Sequence, residues 1–493
     1  MTQRKLFTGK TLIDAGWKSG PHFPEAIRVA NDLLAHGVSD SEILQQIEEF
    51  NIEDQPKIEL QDAVHLAEAI EPITELDISN LDAVRKCMGS MCRLPIVTKA
   101  AIMPDACPAG PGITVGGAIV TENAIIPAAH SADICCSMSA TFFTAHEFDS
   151  ARALDILQSV TRFGPGGRKF PDYIDHRVLD EDVWTNQFLH GLEHYAACHM
   201  GDQGDGNHFA YLGKIDVSEE MTKKLSQAGK TLLPGQYYVL VTHHGSRGLG
   251  AQLYKRGVKA AARHTEKVAK NIPKHGHWLD YRTEEGKDYW DALQYISRWT
   301  VANHEVIHAL FMERMCEAQG AVKVTSFGNE HNFVWHRSTE GKDLFYHGKG
   351  ATPAWKDENG NPLLGLIPLN MSAPILVVLG EDNSDYLSFA PHGAGRNESR
   401  TSLMKRYRSS DGKDDNEAIA SAVEEATSGI DVRWYSGKAD LSETPMGYKD
   451  ADQVTSQIEK FGLAKVIGRI EPLGCIMAGH IDPPWLKKKQ KSQ

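Results

Sequence analysis

From Leu94 onward the chain alternates short β-forming segments with glycine turns, and several of these segments end on histidine. The sharpest case is Tyr237-Tyr-Val-Leu-Val-Thr242, which runs straight into His243-His-Gly-Ser-Arg247. β-Branched and aromatic residues suit a pleated, half-buried surface, and glycine after them ends the strand. Ile113 to Val120 and Ala124-Ile-Ile-Pro127 read the same way, and residues 321–390 read as strands and loops. The apolar run Ala373 to Leu379 predicts a buried strand. Helical patterns are interleaved with these strands. Residues 22–72 look helical, with apolar residues at helical spacing from Pro24 to Leu34 and a second start at Ser39-Asp-Ser-Glu42, an N-cap followed by early acids. Further helices are predicted over 284–319, 416–427 and 450–463. The order has no regular βαβ beat, so an α+β fold is expected rather than a doubly wound sheet. We expect one large domain over 79–480, a helical N-terminal extension over 1–78 and a basic tail over 481–493.

Charge and cysteine usage narrow the function classes. A net charge of −13 argues against sequence-independent coating of nucleic acid, which is driven by phosphate neutralisation. Basic residues are nonetheless clustered at Lys255–Lys274, Arg396–Arg408 and Lys487–Lys491, which leaves room for a local groove. No apolar run reaches about 18 residues, so no membrane span is expected. The first residues lack the apolar core of a signal peptide. Eight cysteines in 493 residues, two of them adjacent at 135 and 136, suit a reduced cytoplasmic protein rather than a disulfide framework. A monomer is expected.

Several segments carry groups suited to metal and phosphate chemistry. Pro391-His-Gly-Ala-Gly-Arg396 sets His392 on a backbone thinned by Gly393 and Gly395, with Arg396 and Arg400 downstream. Glycine admits close approach to a ligand, a guanidinium fork binds phosphate, and neutral imidazole is a nucleophile near neutral pH. Asp133-Ile-Cys-Cys136 offers a carboxylate and a thiolate, and His208, His243 and His331 each stand at a glycine- or asparagine-flanked junction. Taken singly, each histidine reads more readily as a polar loop residue, and the His392 segment as a plain glycine turn. Together, imidazole, thiolate and carboxylate suit a pair of borderline divalent ions acting on phosphate. There is no phosphate-binding loop of the G-x-x-x-x-G-K-[ST] type and no Rossmann glycine pattern. The phosphates of a nucleotide would therefore fall to metal, Arg247, Lys349, Arg396 or the amides of the 393–395 turn.

Eight segments in order add a resemblance. They are Met103-Pro-Asp105 with Gly112 to Gly116, Ile126 to Ala129 with Asp133 to Cys136, Gly206-Asn-His208-Phe, His243 to Gly250, His331-Asn332, Lys349-Gly-Ala-Thr352, His392 to Arg396, and Tyr448-Lys-Asp450. Over residues of about 80 to 478 they resemble the RtcB-type RNA ligase family. The resemblance implies an α+β catalytic domain that joins RNA 2′,3′-cyclic phosphate or 3′-phosphate ends to 5′-hydroxyl ends, in RNA repair or tRNA maturation. It implies GTP and two Mn²⁺ ions as cofactors and a covalent histidine–GMP intermediate on His392. It further implies Asp133, Cys136, His208, His243 and His331 as metal ligands, with Cys136 bridging. Asn207, His392, Gly393, Ala394, Gly395 and Tyr448 would bind the guanine nucleotide, and Arg247, Lys349, Arg396 and Arg400 the RNA phosphates. Thr8 to Phe23 is similar to a short element of tRNA nucleotidyltransferases, which would suit an RNA-facing extension; a helix-entry turn explains it equally well.

The chain departs from the family pattern at Cys107, Tyr211, Gly348, Pro368 to Ser372 and Ala478, as a divergent paralogue would. These departures leave open which nucleotide and RNA end it takes. They keep two alternatives in view: a metal-dependent RNA-end phosphatase or cyclic phosphodiesterase, and a non-ligating RNA-end binding protein.

Overall fold

Helix Glu284–Gln319 is the longest element, 36 residues entered through the Thr283 N-cap and closed by Gly320 in the left-handed conformation. It is lined with Tyr289, Tyr295, Ile296, Trp299 and Phe311, all fully buried, as its predicted span over 284–319 requires. The structure, a computed structural model, describes residues 6–17, 19–20, 22–50, 57–339, 341–408 and 414–481. The expected basic tail lies outside the described residues except for Ile481. The chain divides into two compact units, one of residues 1–59 and 266–270, the other of 60–265 and 271–493.

The first unit contains helices Gly9–Asp14, Phe23–Ala35 and Asp40–Gln46. Ala26, Ala30 and Leu34 recur every fourth residue and pack with Leu12, Trp17, Phe23, Ile43 and Ile47 into a core. Ser39 caps the third helix through a reciprocal pair with Glu42, as its sequence predicts.

Helix does not continue through residue 72. Leu66–Glu68 is instead a strand paired in parallel with Val97–Cys107. Its residues favour helix locally, and cross-strand pairing overrides so weak a preference. Helix resumes at Glu75–Cys92, where Thr74 and Asp77 exchange capping bonds. Helix Arg247–Val268 follows immediately on strand Gly235–His244, in a region whose sequence stood out mainly for its charge.

The two largest sheets carry the second unit. A five-stranded sheet runs in the order Leu66–Glu68, Val97–Cys107, Val115–Glu122, Lys342–Lys349, Phe333–Thr339. The eight-stranded sheet runs Val322–Glu330, Ser137–Thr144, Gly235–His244, Phe209–Val217, Ala464–Met477, Ile375–Gly380, Leu364–Ile367, with Asp431–Trp434 paired to Ala464–Met477. Ile375–Gly380 is buried throughout, as the apolar run predicted. Helices and strands mix without a repeating crossover, so the fold is α+β. Among the described residues no helix is long and apolar enough to cross a membrane.

Candidate metal and nucleotide site

The rim of the eight-stranded sheet gathers the metal-type side chains. His331 follows Val322–Glu330, Cys136 precedes Ser137–Thr144, His243 is next to last in Gly235–His244, and His208 precedes Phe209–Val217. These four strands are consecutive antiparallel neighbours. Antiparallel order sets the end of one strand beside the start of the next, so all four residues meet at one edge. Cys135, Asn332 and Arg247, beside these ligands, have φ values of 56°, 54° and 54°. Such left-handed backbone costs about 1–3 kcal/mol per non-glycine residue and gathers at functional sites. Gly245 leaves space for Asp133, because a Cβ there would stand 2.2 Å from Oδ1.

The donor atoms converge. Cys136 Sγ lies 3.1 Å from His243 Nε2 and 3.5 Å from His208 Nε2. His243 Nε2 faces His331 Nε2 at 3.1 Å, and His208 Nε2 faces Asp133 Oδ2 at 2.8 Å. Two triads result, Cys136–His243–His331 and Asp133–Cys136–His208, each with its ligand atoms within 4.8 Å of one another. Cys136 belongs to both. His243 Nδ1 is 3.3 Å from the Asn207 carbonyl, to which it donates, and this leaves a lone pair on Nε2. Three imidazoles, a thiol and a carboxylate fit two divalent ions sharing the sulfur.

Arg247 adds a constraint. Its Nη1 donates to His208 Nδ1 at 3.1 Å, so the ring proton sits on Nε2 and points at Asp133. An ion on Nε2 would move that proton to Nδ1, where a guanidinium offers no acceptor. Arg247 then has to turn away from the ring.

Electrostatics sharpen the metal reading. Burial and then the Asp133 carboxylate push the Cys136 thiol well above its ordinary range. Burial and then neighbouring imidazoles hold His243 and His331 well below theirs, so both are neutral at pH 7. Burial by itself would raise Asp133, but His208 and Arg247 outweigh it and hold its carboxyl at about 2. Loading the first ion should therefore expel the thiol proton while these two histidines have none to lose. Apparent affinity is expected to rise about tenfold per pH unit for that one proton. Calorimetric titrations in buffers of different ionisation enthalpy check this, and a pH-independent affinity would contradict it.

His392 stands beside this cluster. Strand Phe389–Pro391 pairs with Ala351–Pro353, which delivers the imidazole next to the Lys349–Thr352 turn. Its ring centroid is 4.9 Å from that of His331. Its Nδ1 is 2.6 Å from Oδ2 of fully buried Asp105. Asn207, His392, Gly393, Ala394, Gly395 and Tyr448 line one cavity of about 160 Å³. Apolar cavities of roughly 150 Å³ admit an aromatic ring. Phe209, Tyr211, Cys475 and Met477 share one face of two paired strands and form its floor.

The four cations assigned to phosphate do not form one patch. Arg247 reaches the cluster. Arg396 donates to the Ser442 carbonyl at 2.7 Å and to Glu443 at 2.9 Å, and its guanidinium lies 4.7 Å over the Tyr448 ring. Lys349 is partly buried and donates to the Ile113 carbonyl at 3.2 Å. Arg400 pairs with the other oxygen of Glu443 while half-exposed. Sequence reasoning gave no role to Asp105 or Glu443. Asp105 stood inside the Met103-Pro-Asp105 motif, a signal that could have found it; Glu443 had none.

The class defined by this fold and site is an α+β protein with a cluster of candidate metal ligands beside a half-buried histidine and a ring-sized cavity. A family model described as tRNA-splicing ligase RtcB matches residues 88–187 and 185–478. The chain belongs to this family. It is similar to RNA-splicing ligase RtcB of Escherichia coli (strain K12), with 25% identity over 421 residues that span 80% of this chain and 93% of that protein. RNA-splicing ligase RtcB2 of Escherichia coli (strain ATCC 25922) is 26% identical over 414 residues, spanning 83% and 95%. tRNA-splicing ligase RtcB of Pyrococcus furiosus is 29% identical over 306 residues, spanning 56% of this chain and 29% of that protein.

Proposed function

We propose that this chain is an RNA ligase that joins a 3′-phosphate or 2′,3′-cyclic phosphate end to a 5′-hydroxyl end, using GTP and two Mn²⁺ ions. The observation that carries the reading is a donor cluster shared through Cys136, set against a histidine whose Nδ1 is held by a buried carboxylate. Asp133, Cys136 and His208 would hold one ion and Cys136, His243 and His331 the other; the ions supply charge neutralisation and orientation for the triphosphate.

The residues of this chain then do the following. With its Nδ1 proton directed at Asp105, His392 keeps a lone pair on Nε2. That nitrogen attacks the α-phosphorus of GTP, the bond to the β-phosphate oxygen breaks and pyrophosphate leaves. The ring proton moves toward Asp105 as positive charge builds on the imidazole. The RNA 3′-phosphate, after hydrolysis of a cyclic end, takes the GMP from Nε2. The 5′-hydroxyl attacks this activated phosphorus, and GMP departs as the phosphodiester forms. A cytoplasmic monomer fits: the eight cysteines are free thiols, and one chain supplies every residue of the cluster.

A second reading is favoured by the cavity walls. Leu369, Met371, Ile375 and Met477 line much of them; the carboxylate among the lining residues, Glu443, is already bonded to Arg396, Arg400 and Tyr448. Of the two lining amides, Asn370 already accepts from the Ser372 and Ala373 N–H groups, which leaves Asn207. A guanine edge needs hydrogen-bond acceptors, and burying it without them costs about 1–3 kcal/mol per group. An RNA-end phosphatase that uses the metal cluster without nucleotide has no such need. Incubation with each α-labelled nucleoside triphosphate and Mn²⁺, followed by adduct mapping and assay of RNA ends, separates the readings. Ligation predicts an acid-labile label on His392 and joined RNA. Dephosphorylated ends without label would replace it by the second reading.

A further inference from the structure

Lys449 is 4% exposed, yet it carries an ammonium group. Its Nζ donates to the carbonyls of Pro104 and Ala106 at 2.9 and 2.8 Å. These carbonyls belong to the two residues on either side of Asp105, whose Oδ2 holds His392 Nδ1 at 2.6 Å. The Lys449 backbone is tied to the opposite partner, its N–H donating to the Gly395 carbonyl at 3.0 Å. Next to it, Tyr448 pairs with Arg396 in an isolated β-bridge. Gly395 closes the ring of contacts. Its φ is +73°, and a Cβ there would lie 2.1 Å from the Asp105 carbonyl oxygen, so the nucleophile turn rests directly on the Asp105 backbone.

Taking an ammonium group out of water is costly, and a methionine would fill the space at far lower cost. A charge kept there needs a role. A phosphate-binding role does not fit, because two carbonyls already hold the ammonium in the interior. We infer that Lys449 is a positioning residue, which staples the Asp105 strand to the His392 turn and fixes the carboxylate–imidazole pair for attack on phosphorus. The backbone hydrogen bond sets the distance between the two segments. The ammonium holds the Pro104–Asp105 and Ala106–Cys107 peptide planes, which bracket Asp105 and restrain its carboxylate on Nδ1.

This inference rests on the nucleotidyl-transfer reading, and the test separates the two. Label transfer from α-labelled nucleoside triphosphate to the full-length protein is measured for wild type, Lys449→Arg, Lys449→Gln and Lys449→Met, with metal content and thermal unfolding recorded for each. Lys449→Met should lower the maximal labelling rate by about 10- to 100-fold, the usual cost of freeing a group that orients a reactive side chain. The nucleotide concentration for half-maximal rate and the bound metal should stay within about threefold of wild type. Lys449→Arg, which keeps charge and donors, should recover part of the rate. Lys449→Gln, which keeps an amide donor without charge, should fall between arginine and methionine, and it stands in if the methionine variant does not fold. Rates in Lys449→Gln or Lys449→Met within threefold of wild type would overturn the inference. So would a loss confined to the half-saturating nucleotide concentration, which would make Lys449 a ligand-binding residue. No label on the wild-type protein would instead overturn the nucleotidyl-transfer reading itself.

Discussion

Replacing Cys136 with alanine is expected to remove both metal ions at once and to lower nucleotidyl transfer by more than about 10³-fold, beyond the loss caused by deleting one charge-stabilising donor. Cys136 alone belongs to both triads found among the described residues. Its sulfur sits 3.1 Å from the His243 nitrogen on one side and 3.5 Å from the His208 nitrogen on the other. His331→Ala, by contrast, breaks one triad and should leave close to one ion per chain. Elemental analysis of the two purified variants reads the difference directly. Equal stoichiometry in both would show that the sulfur does not bridge.

The second large effect concerns Asp105. Asp105→Asn should reduce labelling of His392 by about 10²- to 10⁴-fold while leaving metal content unchanged, the scale seen when the carboxylate behind a catalytic imidazole becomes an amide. A carboxylate can only accept from Nδ1, and this reserves the lone pair for Nε2. An amide nitrogen can donate to Nδ1 instead, which moves the ring proton onto Nε2 and blocks attack. Asp105 is wholly buried and its Oδ1 has no partner, so nothing else in its surroundings restores the preference. Rapid labelling by Asp105→Asn would show that the tautomer is set elsewhere.

Much of the fold was legible in the chain because its signals are local. The long helix over 284–319, the capped start at Ser39 and the strand leading into His243 follow from periodicity and turn chemistry within a few residues. The error at 57–72 has the same origin. Val64 to Ala69 carries no strong local preference, and only Val97–Cys107 alongside makes it a strand. Helix Arg247–Val268 was masked by its charge, since basic residues solvate the face opposite to Leu249, Leu253 and Ala260.

For the site, residue chemistry by itself named the nucleophile candidate and the donor types: an imidazole on thinned backbone, a thiol near a carboxylate, and histidines where strands end. Spacing along a chain cannot say whether such groups meet, because the contacts that matter join residues as far apart as His392 and Asp105, 287 positions away. Nor can it say where a long cation points. In the tertiary structure Arg396, expected to bind phosphate, donates to Glu443, and Lys349 donates to a backbone carbonyl, because a partly buried charge needs a partner. Local physics thus determined which groups the chain possesses and where its strands stop. Antiparallel pairing of four strands decided that Cys136, His208, His243 and His331 share one rim, and the burial of Asp105 and Lys449 decided how the adjoining histidine is held.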